Sequence, residues 1–147
     1  MPVSIDEALT ADDRAACLAI RDDVFCREQG VSPEVERDGR DDLCRHYLAQ
    51  DDRTPVGTAR VRPVEGGDVK LERIAVLRAH RHKSIGSALV RRALHDAVMS
   101  GRRSALLHAQ SGTEGFYEAL GFARDGDEFL EAGIRHVLMR QDLVRGP

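Results

Sequence analysis

The residues with the clearest chemical potential lie between Leu71 and Gly86, where a short apolar strand runs through a basic turn into an amphipathic helix. Arg81 and Lys83 stand in that turn, immediately before the helix. The first turn of a helix has unpaired backbone N–H groups and a partial positive charge, so it binds phosphate well. Two cations there oppose the helix dipole, which is easier to explain if an anion lies between them. The turn therefore predicts a site for a pyrophosphate-bearing cofactor.

The turn also has a specific sequence, RHKSIG at Arg81–Gly86. It resembles the acetyl-CoA loop of the GNAT-type N-acetyltransferases, in which Arg or Gln is followed by two residues, Gly, one residue, and Gly or Ala. Arg81 and Gly86 match the ends of that pattern, whereas Ser84 replaces the middle glycine and His82 replaces another glycine common there. The departures leave room for weaker cofactor binding, because a Cβ takes space that a ligand would use.

A second block, QSGTEGFYEALGF at Gln110–Phe122, is similar to the asparagine-to-phenylalanine segment of the same family, with Gln110 in the asparagine position. The resemblance spans about Val56–Arg140. The segments VFCREQG and EAGIRH, together with His46, further resemble an ElaA-like branch of the family. The two blocks in this order make the resemblance fairly specific.

The resemblance implies that acetyl-CoA is the cosubstrate and that its acetyl group passes to a primary amine by direct attack in a ternary complex, without a metal. The acceptor would be a small molecule or a peptide. The backbone N–H of Val76 would stabilise the oxyanion. The residues implied to bind the cofactor are Ile74, Ala75, Val76, Arg81, His82, Lys83, Ser84, Ile85, Gly86, Ser87, Gln110, Phe116 and Tyr117.

Tyr117 is the candidate general acid. A phenol with an ordinary pKa of about 10 can protonate a departing thiolate whose pKa is roughly 8.5. The alternative is a buried aromatic pair that only packs the short helix, a role we expect Phe116 to fill.

Glu72 is the candidate base for the ammonium of the acceptor. It alternates with Ile74 and Val76, so the three side chains are expected on one face of the strand. The alternatives are an ordered water or one of three histidines on predicted strands, His46, His108 and His136. A salt bridge of Glu72 with a neighbouring arginine is the structural alternative. His80 and His82 share a loop, but they lack a third ligand, so no metal site is expected.

The elements that must position these residues can be read along the chain. A capping pair, Thr10 and Asp13, opens a helix expected to end at Gly30. Strands are predicted at 46–50, 56–64, 69–76, 104–109 and 134–140, and further helices at 85–101 and 113–120. The helix between the third and fourth of these strands makes that pair parallel. We therefore predict one α/β domain over residues 1–147, with a mixed, mostly antiparallel sheet and flanking helices. The resemblance implies that the parallel pair splays apart to admit the cofactor.

Composition excludes several classes of protein. A net charge of −3 argues against a nucleic-acid binder. The three cysteines have no paired spacing, which indicates neither a disulfide framework nor a zinc site. No apolar run is long enough to span a membrane. The expected location is the cytoplasm. The sequence does not decide whether the protein forms a homodimer. The acidic segment Glu34–Asp42 is expected to be a solvated loop, and the family resemblance implies that it lies beside the acceptor cleft, where it would attract a cationic amine.

Two other functions are alternatives to the acetyltransferase. A non-catalytic acyl-CoA-binding sensor or partner domain fits the departures at His82 and Ser84, but it needs no proton donor at Tyr117. A nucleoside-triphosphate site is disfavoured because the chain has no GxxxxGK[ST] sequence.

Overall fold

The computed structural model describes residues 3–143. The strands of this range are β1 (Val3–Glu7), β2 (Arg45–Asp51), β3 (Thr54–Pro63), β4 (Asp68–Val76), β5 (Ser104–Gln110), β6 (Ala123–Glu131) and β7 (Ile134–Asp142). Its α-helices are α1 (Ala11–Arg21), α2 (Pro33–Glu36), α3 (Ile85–Met99) and α4 (Glu114–Glu118), with a π-helix at Asp22–Glu28. Short 3₁₀ turns lie at Asp41–Leu43, Glu65–Gly67 and Arg78–His80. No helix in this range is both long and apolar enough to cross a membrane.

The strands form one sheet in the order β1-β2-β3-β4-β5-β7-β6. Every neighbouring pair is antiparallel except β4 and β5, which are parallel and are joined through α3. The predicted α/β class, mixed sheet and parallel pair are confirmed.

Strands β4 and β5 pair over only part of their length. Their register runs from Asp68 opposite Ser104 to Leu71 opposite Leu107, and it stops there. Strand β4 nevertheless continues to Val76 and β5 to Gln110. The two strands therefore part toward their carboxyl ends, which is the splay that the family resemblance implied.

Apolar side chains pack on both faces of the sheet. The larger cluster joins α3 to the sheet through buried residues that include Leu71, Leu89 and Leu107. A smaller cluster joins α1 and the start of the π-helix to the other face, through Ile20, Val24 and others. The two clusters hold β4 at the centre of the fold, where it carries the candidate site.

A bulge in β4 changes which way its residues face. Arg73 has a positive φ of 52°, and the register with β3 shifts between Thr58 and Arg60. As a result Ile74 packs on the α3 side with Leu71, whereas Glu72 lies on the opposite face beside Arg60. The expectation that Glu72, Ile74 and Val76 share one face is wrong, because a bulge interrupts the alternation on which it depended.

The first helix differs in its later part from the prediction. It opens as expected, with the Thr10 Oγ1 accepting a hydrogen bond from the Asp13 N–H at 3.1 Å. From Asp22 onward it widens into the π-helix, and the positive φ of Gly30 follows its end. Single-turn π segments often occur at functional sites, and this one borders the cavity described next.

Strands β1 and β6 were not predicted. Strand β6, ARDGDEFLE, is polar and mostly exposed, so its sequence lacks the apolar alternation that marks a half-buried strand. Its pairing with β7 decides its conformation.

Candidate active site

A cavity of about 440 Å³ opens where β4 and β5 part. Many residues singled out from the sequence line it: Glu72, Ile74, Ala75, Val76, Arg81, His108, Gln110, Tyr117 and His136. Others singled out from the sequence lie outside its wall: His46, His82, Lys83, Ser84, Ile85, Gly86, Ser87 and Phe116. Apart from His46, the residues outside the wall belong to the turn before α3, to the first turn of α3 and to α4. These elements adjoin the end of the cavity that Val76 and Tyr117 line.

The turn before α3 holds two strained residues. His82 and Ser84 have φ values of 63° and 62°, a left-handed conformation that glycine adopts without cost and that other residues rarely adopt. They stand where the family pattern has glycine. Ser84 occupies the N-cap position, but its hydroxyl makes no capping hydrogen bond. The first N–H groups of α3 are therefore left without a side-chain acceptor from this residue.

Gly86 lies in the first turn of α3 beside Phe116. A Cβ at Gly86 would meet Phe116 Cζ at 3.4 Å and Val76 Cγ2 at 3.8 Å, which are ordinary contacts. Protein packing alone does not require glycine here. Phe116 is 40% exposed, so the expectation that it is the buried packing partner is wrong.

Arg81 connects the end of β4 to the π-helix. Its Nε donates to the Val76 carbonyl at 2.9 Å, and its two terminal nitrogens donate to the Glu28 carboxylate at 2.7 Å each. The hydrogen bonds from Arg81 lower the pKa of Glu28 to about 2. The Arg81 guanidinium is thus held by protein groups, while Lys83 beside it is exposed.

The backbone N–H of Val76 points into the gap between the strands. In an antiparallel ladder, successive residues turn their N–H groups alternately toward and away from the partner strand. Leu77 N–H donates to the Val56 carbonyl at 2.9 Å, so Leu77 faces β3. Val76, which lies opposite Gly57, turns its N–H away from β3 toward the position that β5 has left. A donor at this point can bind a carbonyl oxygen of a molecule lying in the splay.

Tyr117 closes the same end of the cavity. Its ring packs edge-on against Phe116 and Phe122, with centroids 4.9 and 6.1 Å apart. Burial raises the pKa of Tyr117 to about 12. Within residues 3–143 its hydroxyl forms no hydrogen bond. The phenol is therefore protonated, and its hydroxyl is not hydrogen-bonded to any of the described residues.

Glu72 lies deeper, where both of its oxygens are occupied. Its carboxylate is buried and accepts hydrogen bonds from Arg60 and, at 2.5 Å, from Arg62. Burial opposes ionisation, but the charges of these two arginines outweigh it and lower the pKa of Glu72. A carboxylate in this state is a weak proton acceptor.

The acidic segment predicted to be solvated is exposed over most of its length, but three of its five acids bind arginines of the fold. Glu36 is 2% exposed and accepts from Arg21 and Arg73 at 3.0 and 2.8 Å. Asp38 and Asp41 both accept from Arg60, at 2.8 and 2.9 Å. These three carboxylates are committed to arginines, so they are poorly placed to attract an amine.

Glu131 on β6 is another carboxylate that lines the cavity, and it lies between two histidines. Its Oε1 lies 3.0 Å from His108 Nδ1, and its Oε2 lies 3.9 Å from His136 Nε2. The His136 Nδ1 lies 2.7 Å from the Ile134 carbonyl, and Phe129 packs against both imidazole rings. The hydrogen bond from His108, which outweighs burial, lowers the pKa of Glu131 to about 2. His46, in contrast, is buried away from the cavity, with Nε2 2.8 Å from the Asp41 carbonyl.

Gln110 bridges the cavity. Its amide exchanges hydrogen bonds with Gln29, at 2.9 and 3.4 Å. Gln29 and Glu131 were not singled out individually, although the segments that resemble the ElaA-like branch contain both of them.

Comparison with known proteins agrees with this geometry. The profile of the family described as Acetyltransferase (GNAT) domain matches residues 22–143. YjcF of Bacillus subtilis, named as an uncharacterized N-acetyltransferase, is 38% identical over 125 residues, covering 84% of this chain and 88% of YjcF.

Two solved structures show the same fold. An acyl-CoA N-acyltransferase from Pseudomonas aeruginosa has a TM-score of 0.83 and 29% identity, covering 96% of this chain and 99% of that one. Escherichia coli ElaA has a TM-score of 0.84 and 26% identity, covering 95% of this chain and 99% of ElaA. The chain therefore belongs to the GNAT family of acetyltransferases.

Proposed function

We propose that this protein transfers the acetyl group of acetyl-CoA to a primary amine of a small molecule or peptide. The observation that carries the proposal is the splay of β4 and β5, which brings the Val76 N–H and the unpartnered Tyr117 phenol to the same cavity. A thioester in the gap would have a hydrogen-bond donor for its carbonyl oxygen and an acid near its sulfur.

The cofactor would follow the edge of β4 and end at α3. Backbone groups of Ile74, Ala75 and Val76 would bind its pantetheine arm. The pyrophosphate would lie on the first turn of α3, where Ser84 supplies no cap and Lys83 supplies a charge. The side chains proposed to flank the cofactor are those of His82, Ile85, Ser87, Gln110 and Phe116. Arg81 is also proposed to lie beside the cofactor, at the end of β4. The lack of a side chain at Gly86 favours close approach of the phosphates.

The reaction would proceed by direct attack. The amine nitrogen forms a bond to the thioester carbon, and the carbonyl oxygen gains negative charge that the Val76 N–H stabilises. The C–S bond then breaks, Tyr117 gives its proton to the departing thiolate, and a base takes the proton that the amine loses. The products are the N-acetylated acceptor and CoA.

The base is assigned to His108 rather than to Glu72. Both Glu72 oxygens accept from arginines, whereas His108 has one ring nitrogen on Glu131 and lines the cavity. Glu131 fixes the Nδ1–H tautomer and stabilises the imidazolium that forms, which leaves Nε2 to accept the proton directly or through water.

The test pairs a titration with one conservative variant. Acetyl-CoA should bind in isothermal titration, and an amine panel should release CoA. Tyr117→Phe keeps the ring, so binding and stability should barely change, while turnover falls roughly 10²-fold if the phenol is the acid.

Three outcomes would change the proposal. Unchanged turnover in the Phe variant, with chemistry rate-limiting, removes Tyr117 from the mechanism. Acetyl-CoA binding without turnover on any amine favours the acyl-CoA sensor instead. Absence of binding at millimolar acetyl-CoA rejects both functions.

A further inference from the structure

The floor of the cavity, away from Val76, carries a cation with no partner. Lys70 on β4 is half-buried and lines the cavity. Within residues 3–143 its ammonium forms no hydrogen bond and no ion pair, although Glu72 and Glu131 attract it at longer range. Burial lowers the pKa of Lys70 despite that attraction, as expected for an ammonium whose charge is not compensated.

The cross-strand neighbour of Lys70 makes this arrangement more costly. Arg62 lies directly opposite it on β3, so two cations share one face of the sheet. Like charges directly opposite each other destabilise a sheet. Glu72 offsets only part of this repulsion, because it pairs with Arg60 and Arg62 and attracts the Lys70 ammonium only at longer range. Arg40, which is exposed, also borders the cavity and adds a third positive charge to this end.

An anion between these cations would explain both observations. We propose that Lys70 and Arg62 bind a carboxylate at the far end of the acceptor, so that the acceptor class is an extended primary amine bearing a carboxylate. This inference rests on the proposed acetyl transfer for the position of the amine. A lysine ammonium and a guanidinium side by side can share one carboxylate through charge-assisted hydrogen bonds.

The spacing along β4 sets the length of the acceptor. From Lys70 to Val76 the strand rises about 20 Å at ~3.3 Å per residue. Even with an extended lysine stem, an acceptor must span on the order of 10 Å between its carboxylate and the amine that attacks. An α-amino acid, whose two charged groups share one carbon, is too short to reach both ends.

The experiment uses matched probes with the whole protein and saturating acetyl-CoA. The probes are ω-aminooctanoate, its carboxamide ω-aminooctanamide, and glycine. Wild type should prefer the acid over the amide by roughly tenfold to a hundredfold in kcat/KM, and should use glycine poorly. Lys70→Met should reduce that preference to about threefold or less, mainly through KM, and Lys70→Arg should restore part of it.

Arg135→Gln is the matched control, because Arg135 is a cation on β7 whose side chain is 77% exposed and lies outside the cavity wall. It should keep the wild-type preference. Equal use of acid and amide by wild type, an unchanged preference in Lys70→Met, or efficient use of glycine would each overturn the inference.

A second measurement separates this inference from the proposed function. The acid and amide probes are titrated by calorimetry into the CoA-saturated protein, where no transfer occurs. Tighter binding of the acid that Lys70→Met abolishes supports the carboxylate site even if no probe is acetylated, in which case only the transfer is rejected. Equal binding of the two probes rejects the site even if both are acetylated.

Discussion

Two glutamates face the same cavity from opposite sides of the splay, and their surroundings differ. Glu72 on β4 is buried, and both of its oxygens accept from arginines. Glu131 on β6 has a side chain that is 47% exposed and contacts two imidazoles. The pKa of each is lowered, yet the first is held by permanent cations and the second by groups that can release a proton. The comparison favours a structural role for Glu72 and supports the part that the proposed reaction gives to Glu131.

The largest expected effect is a loss of stability on removing Arg60, the cation that binds Glu72 and two other carboxylates. Arg60 is fully buried and pairs with Glu72, Asp38 and Asp41. Arg60→Met should lower the free energy of unfolding by about 3–5 kcal/mol, because the buried Glu72 and the partly buried Asp38 and Asp41 all lose the cation that they share. Urea unfolding at neutral pH measures this change. A loss below about 1 kcal/mol would contradict the scaffold role.

Glu131→Gln tests the other side of the comparison. The amide keeps the shape but cannot stabilise the His108 imidazolium, so kcat should fall roughly 10²-fold with little change in acetyl-CoA affinity. Stability should change by less than about 1 kcal/mol, since the Glu131 side chain is about half exposed. A wild-type kcat in this variant would reject the pair of Glu131 and His108 as the base.

Glu72→Gln is the same substitution on the opposite wall, and it should act in the opposite way. We expect a loss of about 1–3 kcal/mol in stability, because charge-assisted hydrogen bonds to two arginines are weakened while Arg60 keeps two other carboxylates. Turnover, measured well below the melting temperature, should stay within a few-fold of wild type. A 10²-fold loss of turnover without destabilisation would return Glu72 to the role of base.

The smallest effect is the response of stability to acid. The pKa values of Glu28 and Glu131 are lowered to about 2 in the folded protein, and that of Glu72 is lowered as well. Groups with depressed pKa values stabilise the fold above their unfolded pKa, so stability should be level above about pH 5 and decline from pH 4.5 toward pH 2. Urea midpoints at several pH values measure this, and Glu72→Gln should flatten the decline. Stability that rises as the pH falls through this range would contradict the assignment.

Sequence patterns determined the parts of the site that depend on neighbours along the chain. The turn at Arg81–Gly86 and the helix that follows it come from local spacing, and the family resemblance points to Tyr117. The predicted order of strands and helices was sufficient to identify the parallel pair. These features depend on hydrogen bonds and contacts within one or two elements. Short-range patterns therefore predict them well.

Only the tertiary structure decided what each charged residue does. The bulge at Arg73 turned Glu72 away from Ile74, and the acidic segment folded back onto Arg21, Arg60 and Arg73. Polar β6 became a strand through its pairing with β7, which placed Glu131 beside His108. Side-chain contacts that settled these roles join residues 15 to 23 positions apart in the chain. The ionisable group of a side chain is fixed by its type, whereas its pKa and its role depend on the charges and solvent that the fold places around it.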